Sequence, residues 1–251
     1  MTHGWAPETP VWLEINGRRR ILATCTPDDL QAQTAGYLLT EGYIKAASEI
    51  GRLEIVNEPF DCAGVRASVP ETGVVRVGQL RRHIREHGCG LQHFTSCDRV
   101  SLVHARALDI PDSDAFRDLF RQLFADGDRH YPDGGMHGAS LTDGSRVVLT
   151  VHDVGRHNAV DKLIGRALLD GLDLSRHGVL LTARVSGNIA LKTAMARVSW
   201  VASRSIPTTL AADIAAAADL PLIARAPSKE AVVIGRNGGS QGSSADQPAR
   251  R

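Results

Sequence analysis

Apolar and polar positions alternate early in the chain. VWLEI and ILATC flank Asn16-Gly17, a dipeptide suited to a type I′ turn, so residues 11–25 predict a β-hairpin. Thr26-Pro27-Asp28-Asp29 then has the form of a helix start, with Thr26 as cap and proline in the first turn. Tyr37, Leu38 and Leu39 supply the apolar face of that helix, and Gly42 stops it. Between Gly51 and Val77 three short runs, LEIV, VRASV and VVRV, predict further strands, antiparallel because the connections are short. Phe116, Leu119, Phe120, Leu123 and Phe124 recur at helical spacing and predict a helix over 113–126.

From there the period switches repeatedly between strand and helix. Val147–Val151 is a β-branched apolar run after the turn at Asp143-Gly144. Ala159, Val160, Leu163, Ile164, Ala167 and Leu168 then predict an amphipathic helix ending at Gly171. VLLTA (179–183) precedes a helix through 190–196. VSWVAS (198–203) precedes a helix to about 218, and PLIAR supplies a last strand. Strands alternating with helices predict an α/β fold with a largely parallel sheet. Residues 1–10 read as a flexible lead-in and 236–251 as a disordered, glycine- and serine-rich tail.

The stretch between the strand at 147–151 and its helix is a polar knot, His152-Asp153-Val154-Gly155-Arg156-His157-Asn158. At the carboxyl end of a strand and beside a helix N-terminus, such residues suit an anionic ligand. Equally, they suit a salt-bridge network that caps the helix. His137 in a glycine-rich turn, and Arg184 and Arg204 after strands, fall at the same end of the predicted sheet. Arginine there favours bidentate phosphate contacts, and Asp153 is a candidate acceptor for a guanine edge. No P-loop and no G-x-G-x-x-G follows any strand.

Composition narrows the partners. Lysine and arginine number 29 against 28 acidic residues in 251, which gives no argument for nucleic acid or a membrane surface. No apolar run approaches a membrane span, and MTHGWAPETP lacks the pattern of a signal peptide. Four cysteines (25, 62, 89, 97) without paired spacing fit free thiols in a cytoplasmic protein.

One segment differs in kind. Arg81–Asp98, RRHIREHGCGLQHFTSCD, is basic and histidine-rich and carries Cys89 between two glycines. Neighbouring positive charge lowers a thiol pKa, so Cys89 is the leading nucleophile candidate, suited to covalent relay. An inert exposed thiol in a basic loop remains the alternative. A metal reading also competes, because Cys89, His93 and Cys97 follow at i, i+4 and i+8 with His87 nearby. Gly88 and Gly90 disfavour a helix there, however, and the spacing is not that of a structural zinc site. Cys25 and Cys62 fall in predicted strands as small core residues.

These motifs identify a family. HDVGRHNAVDKLIG, with GGMHGASL before it and SRSIPT after it, closely resembles the formate dehydrogenase accessory sulfurtransferases, the FdhD family. The likeness runs from the hairpin through TPDDLQAQTAGYLLTEGYI to about Ile234. It implies a cytidine-deaminase-like three-layer α/β/α domain, here 112–235, behind a smaller N-terminal β-rich part, here 11–111, in a cytoplasmic homodimer. It further implies that Cys89 accepts persulfide sulfur from a cysteine desulfurase. The sulfur then passes to molybdenum in bis(molybdopterin guanine dinucleotide), for formate dehydrogenase or a related molybdoenzyme. The alternative within this resemblance is a non-catalytic binding or delivery protein for that guanine dinucleotide. A zinc hydrolase is disfavoured, since no H-x-E…P-C-x-x-C signature is present, and no metal site is expected.

The resemblance assigns cofactor binding to His137, Asp153, Gly155, Arg156, His157, Asn158, Arg184, Arg204 and Ser205. It extends this to the segment Arg225, Ala226, Pro227, Ser228, Lys229 and Glu230, and makes GDP or GMP the expected mimics. The chain departs from the pattern in three places. The family loop C-G-x-C-G reads Cys89-Gly90-Leu91-Gln92-His93, leaving Cys97 as the possible second thiol. The family's S-G-R is Thr182-Ala183-Arg184. A glycine- and arginine-rich loop is replaced by Arg225–Glu230, in which Pro227 has no N–H to offer.

Overall fold

The computed structural model describes residues 4–58, 62–75, 77 and 108–235. Strands β1 (Thr9–Ile15) and β2 (Arg19–Cys25) form the expected hairpin, and Asn16 and Gly17 take φ of 51° and 68°, as a type I′ turn requires. Helix α1 (Leu30–Thr40) begins later than its sequence suggests. Asp29, not Thr26, precedes it, and the Thr26 hydroxyl instead accepts the backbone N–H of Val154 at 3.2 Å. A distant partner has outcompeted local capping.

Strands β3 (Arg52–Glu58) and β4 (Cys62–Ser68) complete a four-stranded sheet in the order β2-β1-β4-β3. The β3–β4 pair is antiparallel, as expected, but β4 lies parallel to β1. Residues 71–75 are helical, so Val74 and Val75 of the expected VVRV strand lie in a helical turn instead. Pro70 carries the start of that turn, its carbonyl accepting from Gly73 and Val74, which suits a residue with preset helical φ and no N–H to satisfy.

The second sheet holds six strands in the order β10-β9-β8-β7-β5-β6. They are β5 (His137–Thr142), β6 (Val147–Asp153), β7 (Gly178–Leu181), β8 (Trp200–Ser203), β9 (Leu222–Ala224) and β10 (Val232–Ile234). Within it only β7-β8-β9 are mutually parallel; β5 runs antiparallel to both β6 and β7, and β10 to β9. The sheet is therefore mixed, not largely parallel. The expectation failed because β5, whose HGASLT sequence lacks β-branched alternation, is a strand that turns straight back into β6.

Helices cover both faces. Helix α2 (Ser113–His130), capped by the Asp112 carboxylate, packs Phe116, Leu119, Phe120 and Leu123 on Leu180, Trp200, Ala202 and Ile223. Phe116 meets Trp200 edge-on at 5.5 Å, a contact worth ~0.5–1.5 kcal/mol beyond burial. The opposite face, with Leu141, Val179, Leu181, Val201 and Leu222, carries α3 (Arg156–Leu169), α4 (Gly187–Met195) and α5 (Thr209–Ala217). Alternate residues of each strand thus serve alternate layers, the α/β/α arrangement expected.

Helix α1 lies between the small sheet and α3, and one apolar cluster runs from Val11 and Val65 through Leu38 to Val160 and Ile189. The two helices cross backbone to backbone. A methyl group on Gly36 would overlap the carbonyl oxygen of Asp161, and one on Gly165 would overlap that of Ala32. Three helices are then pinned by a buried cluster in which Lys192 Nζ lies 3.0 Å from both Asp161 oxygens and from Thr40 Oγ1, with Glu41 at 3.2 Å.

Candidate functional site at the carboxyl edge of the large sheet

Strand periodicity divides the polar knot. Strand β6 extends through His152 and Asp153, and α3 begins at Arg156, so the knot is half strand and half first turn rather than a free loop. His152 faces α2, where its Nε2 lies 2.9 Å from Asp126 Oδ2 and its ring meets the edge of Tyr131 at 5.5 Å. Asp153 faces α3 and is completely buried.

Four donors saturate the Asp153 carboxylate. Oδ1 accepts from the backbone of Gly155 at 2.7 Å and from Asn158 Nδ2 at 3.0 Å. Oδ2 accepts from the backbone of Thr26 at 3.2 Å and lies 2.8 Å from Lys162 Nζ. Asp153 therefore has no lone pair left for a guanine edge, the role expected of it from sequence; it organises the site from beneath. Gly155 is needed at this spot, since a Cβ there would lie 2.7 Å from Asn158 Nδ2. Asn158 also donates to the Thr24 carbonyl at 2.8 Å, and Lys162 to the Thr26 carbonyl at 2.9 Å and to the Asp28 carboxylate. This half of the knot is a buried network tying the end of β2 to the β6–α3 junction.

The other half faces outward. His137, at the start of β5, is the cross-strand partner of Asp153, and Arg156 and His157 form the first turn of α3. All three are partly buried. His157 Nε2 is 3.2 Å from the hydroxyl of Ser186, the residue that precedes α4. Arg156 Nε is buried with no hydrogen-bond partner among the described residues. Burial lowers the pKa of His137, and the Arg156 charge lowers it further against the opposing pull of Asp153. Burial likewise lowers that of His157, followed by the charges of Arg156, Lys192 and His137. The local field is cationic.

The same edge gathers the ends of β7, β8 and β9. Arg184 and Arg204 are exposed, and the Arg204 guanidinium stacks over Phe124 at 5.5 Å. The Thr182 hydroxyl accepts from the backbone of Gly138 at 3.0 Å and so locks β5 to β7. The Ser205 N–H donates to Ser203 Oγ, and the Arg225 and Ala226 N–H groups donate to the Ser205 and Ser203 carbonyls at 3.0 Å. The Arg225–Glu230 segment is thereby seated beside the Arg204-Ser205 turn. Its backbone makes no open cradle. The N–H of Ser228 donates to the Arg225 carbonyl, that of Glu230 donates to Ser228 Oγ, and Pro227 has none. Ala226 is fully buried, Lys229 is exposed, and Arg225 pairs with Glu230 at 3.1 Å.

Cys89 and Cys97, with His87 and His93 of the metal alternative, lie outside the described residues. Cys25 is completely buried, and burial, followed by the Asp153 charge, pushes its thiol up to about 11. It is the core residue expected. Sequence reasoning passes over Lys162, Ser186 and the Asp161–Lys192 pair. The available signal is Asp161-Lys162 itself, two charges on positions that the helical period of Ala159–Leu168 buries. No helix among the described residues is long and apolar enough to cross a membrane.

Known proteins share this architecture. The FdhD/NarQ family model matches residues 6–237. The chain is 32% identical over 229 residues to the sulfur carrier protein FdhD of Burkholderia mallei, covering 86% of this chain and 82% of that protein. It is 34% identical over 233 residues to the protein of the same name from Xanthomonas euvesicatoria, covering 91% and 82%. A solved structure from Desulfotalea psychrophila, provisionally assigned as a formate dehydrogenase accessory protein, superposes with a TM-score of 0.66 at 25% identity, covering 90% of this chain and 85% of that one.

Proposed function

The chain belongs to the FdhD/NarQ family, and from that footing we propose that it is a sulfur carrier acting through Cys89. The observation that carries this reading is the family match over 6–237, which encloses Cys89, together with relatives named for sulfur carriage at about a third identity. The Cys89 thiolate attacks the terminal sulfur of a persulfide on a cysteine desulfurase. A new S–S bond forms on Cys89 as the desulfurase thiolate leaves, with no net oxidation. One thiol suffices for this step, so Gln92 in place of a second loop cysteine does not prevent it, and Cys97 is the only nearby thiol in sequence for a further relay.

The receiving substrate is molybdenum bis(molybdopterin guanine dinucleotide), serving formate dehydrogenase or a related molybdoenzyme, with the carrier a cytoplasmic homodimer. What supports a nucleotide-bearing substrate is the donor set at the carboxyl edge. Arg156 has a buried donor without an acceptor among the described residues, His137 and His157 stand in a cationic field, and Arg184, Arg204 and Lys229 are exposed after the ends of β7, β8 and β9. These donors suit phosphate groups. Asp153, Gly155 and Asn158 shape the floor beneath, and Ser205 with Arg225–Glu230 forms the far wall. GDP and GMP are the practical mimics.

The deciding experiment incubates the protein with a cysteine desulfurase and cysteine and locates added sulfur by mass spectrometry. Cys89 should gain the mass of one sulfur atom, and Cys89→Ala should lose it. If Cys89→Ala loads as well as the parent, Cys89 is not the carrier. If no cysteine loads while GDP still binds, the chain is a binding and delivery protein.

A further inference from the structure

We propose that Arg156, His157 and Ser186, with His137 beside them, form a phosphoryl-binding seat whose occupation takes up protons, so that nucleotide cargo is held more tightly as pH falls. This deepens the cargo reading above and rests on it for the identity of the ligand, but not for the seat itself. His157 Nε2, in the first turn of α3, and Ser186 Oγ, on the residue that precedes α4, lie 3.2 Å apart, so α3 and α4 bring their N-termini to one place. Neither helix has a side-chain cap, and the first-turn N–H groups of both are left without a side-chain acceptor. Arg156, the first residue of α3 and partly buried, adds a guanidinium whose buried Nε has no acceptor among the described residues. Two helix N-termini, the Arg156 guanidinium at the start of α3 and the Ser186 hydroxyl are donors of the kind a phosphate dianion takes.

The charges around this point do not cancel. From α3 comes Arg156, from α4 Lys192, and from β5 His137, all of which act on His157. The nearby carboxylates are already spent: Asp153 pairs with Lys162, and Asp161 and Glu41 pair with Lys192. Both imidazoles are pushed toward the neutral form in the free protein, by burial first and by Arg156 second, with Asp153 opposing the shift at His137. A phosphate dianion in the seat reverses that field and raises both pKa values. Since the complex then binds more protons than its parts, affinity must rise as pH falls, by at most about tenfold per pH unit for each proton taken up.

The test is titration calorimetry with GDP and with pyrophosphate at about pH 8 and pH 6, in two buffers of different protonation heat. It uses the parent, His157→Gln, His137→Gln and the double variant. Glutamine keeps a donor toward Ser186 but cannot titrate, so the readout is the ratio of affinities at the two pH values. The double variant supplies the contribution of the ligand's own phosphate titration, which lies near pH 6. Once that contribution is subtracted, the parent should bind at least about fivefold tighter at the lower pH and take up protons, with each single variant intermediate. An equal pH ratio in the parent and the double variant would overturn the proposal, as would absence of pyrophosphate binding at both pH values. Proton-linked pyrophosphate binding without GDP binding would leave the seat standing and remove the guanine nucleotide from the proposed function. Cys89 loading is scored separately and bears on neither outcome.

Discussion

Lys162 Nζ and Asp153 Oδ2 lie 2.8 Å apart, with their side chains 1% and 0% exposed. The pair joins the second turn of α3 to the end of β6, and Lys162 then reaches on to the Thr26 carbonyl and the Asp28 carboxylate. Removing one partner of such a pair strands the other charge in the interior. Lys162→Met should therefore cost ~3–5 kcal/mol in urea unfolding. Asp28→Ala, at a side chain 53% exposed, should cost below about 1 kcal/mol. Equal losses would show that the buried pair does not hold this junction.

The crossing of α1 and α3 gives a second expectation. Gly36→Ala and Gly165→Ala each force a methyl into a facing carbonyl, so both should destabilise by ~1–3 kcal/mol or more despite alanine's better helix propensity. Gly171→Ala, at a helix stop with φ of 71° and open space around it, isolates the backbone strain alone. Thermal melts of the three variants separate steric overlap from conformational cost.

Cys25 should be silent toward thiol reagents. Its folded pKa is about 11 against an ordinary 9.0, so at neutral pH it is a buried, protonated thiol. Iodoacetamide should label it only after unfolding. The folded state retains this proton where the unfolded chain releases it, so the Cys25 contribution to stability should fall as pH rises from about 9 toward 11. Cys25→Ser should flatten that part of the pH–stability curve. Labelling of Cys25 in the native protein at neutral pH would contradict the burial described.

The loop at Arg225 makes a prediction about salt. The backbone N–H groups of Arg225, Ala226, Ser228 and Glu230 are engaged and Pro227 has none, so the grip proposed for this loop on a nucleotide rests chiefly on the Arg225 and Lys229 side chains, through contacts that salt screens. Arg225 is held by Glu230 at 3.1 Å in an exposed pair worth ~0–1 kcal/mol. Glu230→Gln should thus tighten GDP a few-fold at low salt and hardly at all at high salt, while Arg225→Ala weakens it. GDP affinity indifferent to both changes and to salt would place this loop away from the nucleotide.

What can be read from the sequence is local. The hairpin at Asn16-Gly17, the α2 stripe of Phe116 to Leu123 and the α3 stripe of Ala159 to Leu168 each carry their period within a few turns, and all three form as expected. Strand β5 escapes because its inward polar residue is satisfied by a neighbour, Ser140 Oγ lying 2.8 Å from Thr150 Oγ1, and not by an apolar alternation. Thr26 misleads for the opposite reason: it looks like a cap locally, and its partner lies 128 residues away. At the candidate site, the sequence points to the 152–158 stretch but not to the division of labour within it. Which of His152 and Asp153 faces which layer depends on β6 continuing through both. Saturation of Asp153 depends on Thr26 and Lys162, neither of which spacing alone brings to it.

The junction beneath the site also dictates an order of events during synthesis. Thr26 and Asp28 leave the ribosome early, yet the ammonium group that holds them lies 136 and 134 residues downstream. Until Lys162 has been made and α3 has closed that long loop, the early segment has no anchor, and loop closure over such separations is slow compared with local structure. A nascent or truncated chain therefore lacks the floor of the cleft altogether. For the nucleotide cargo proposed above, this confines capture to molecules that have finished folding.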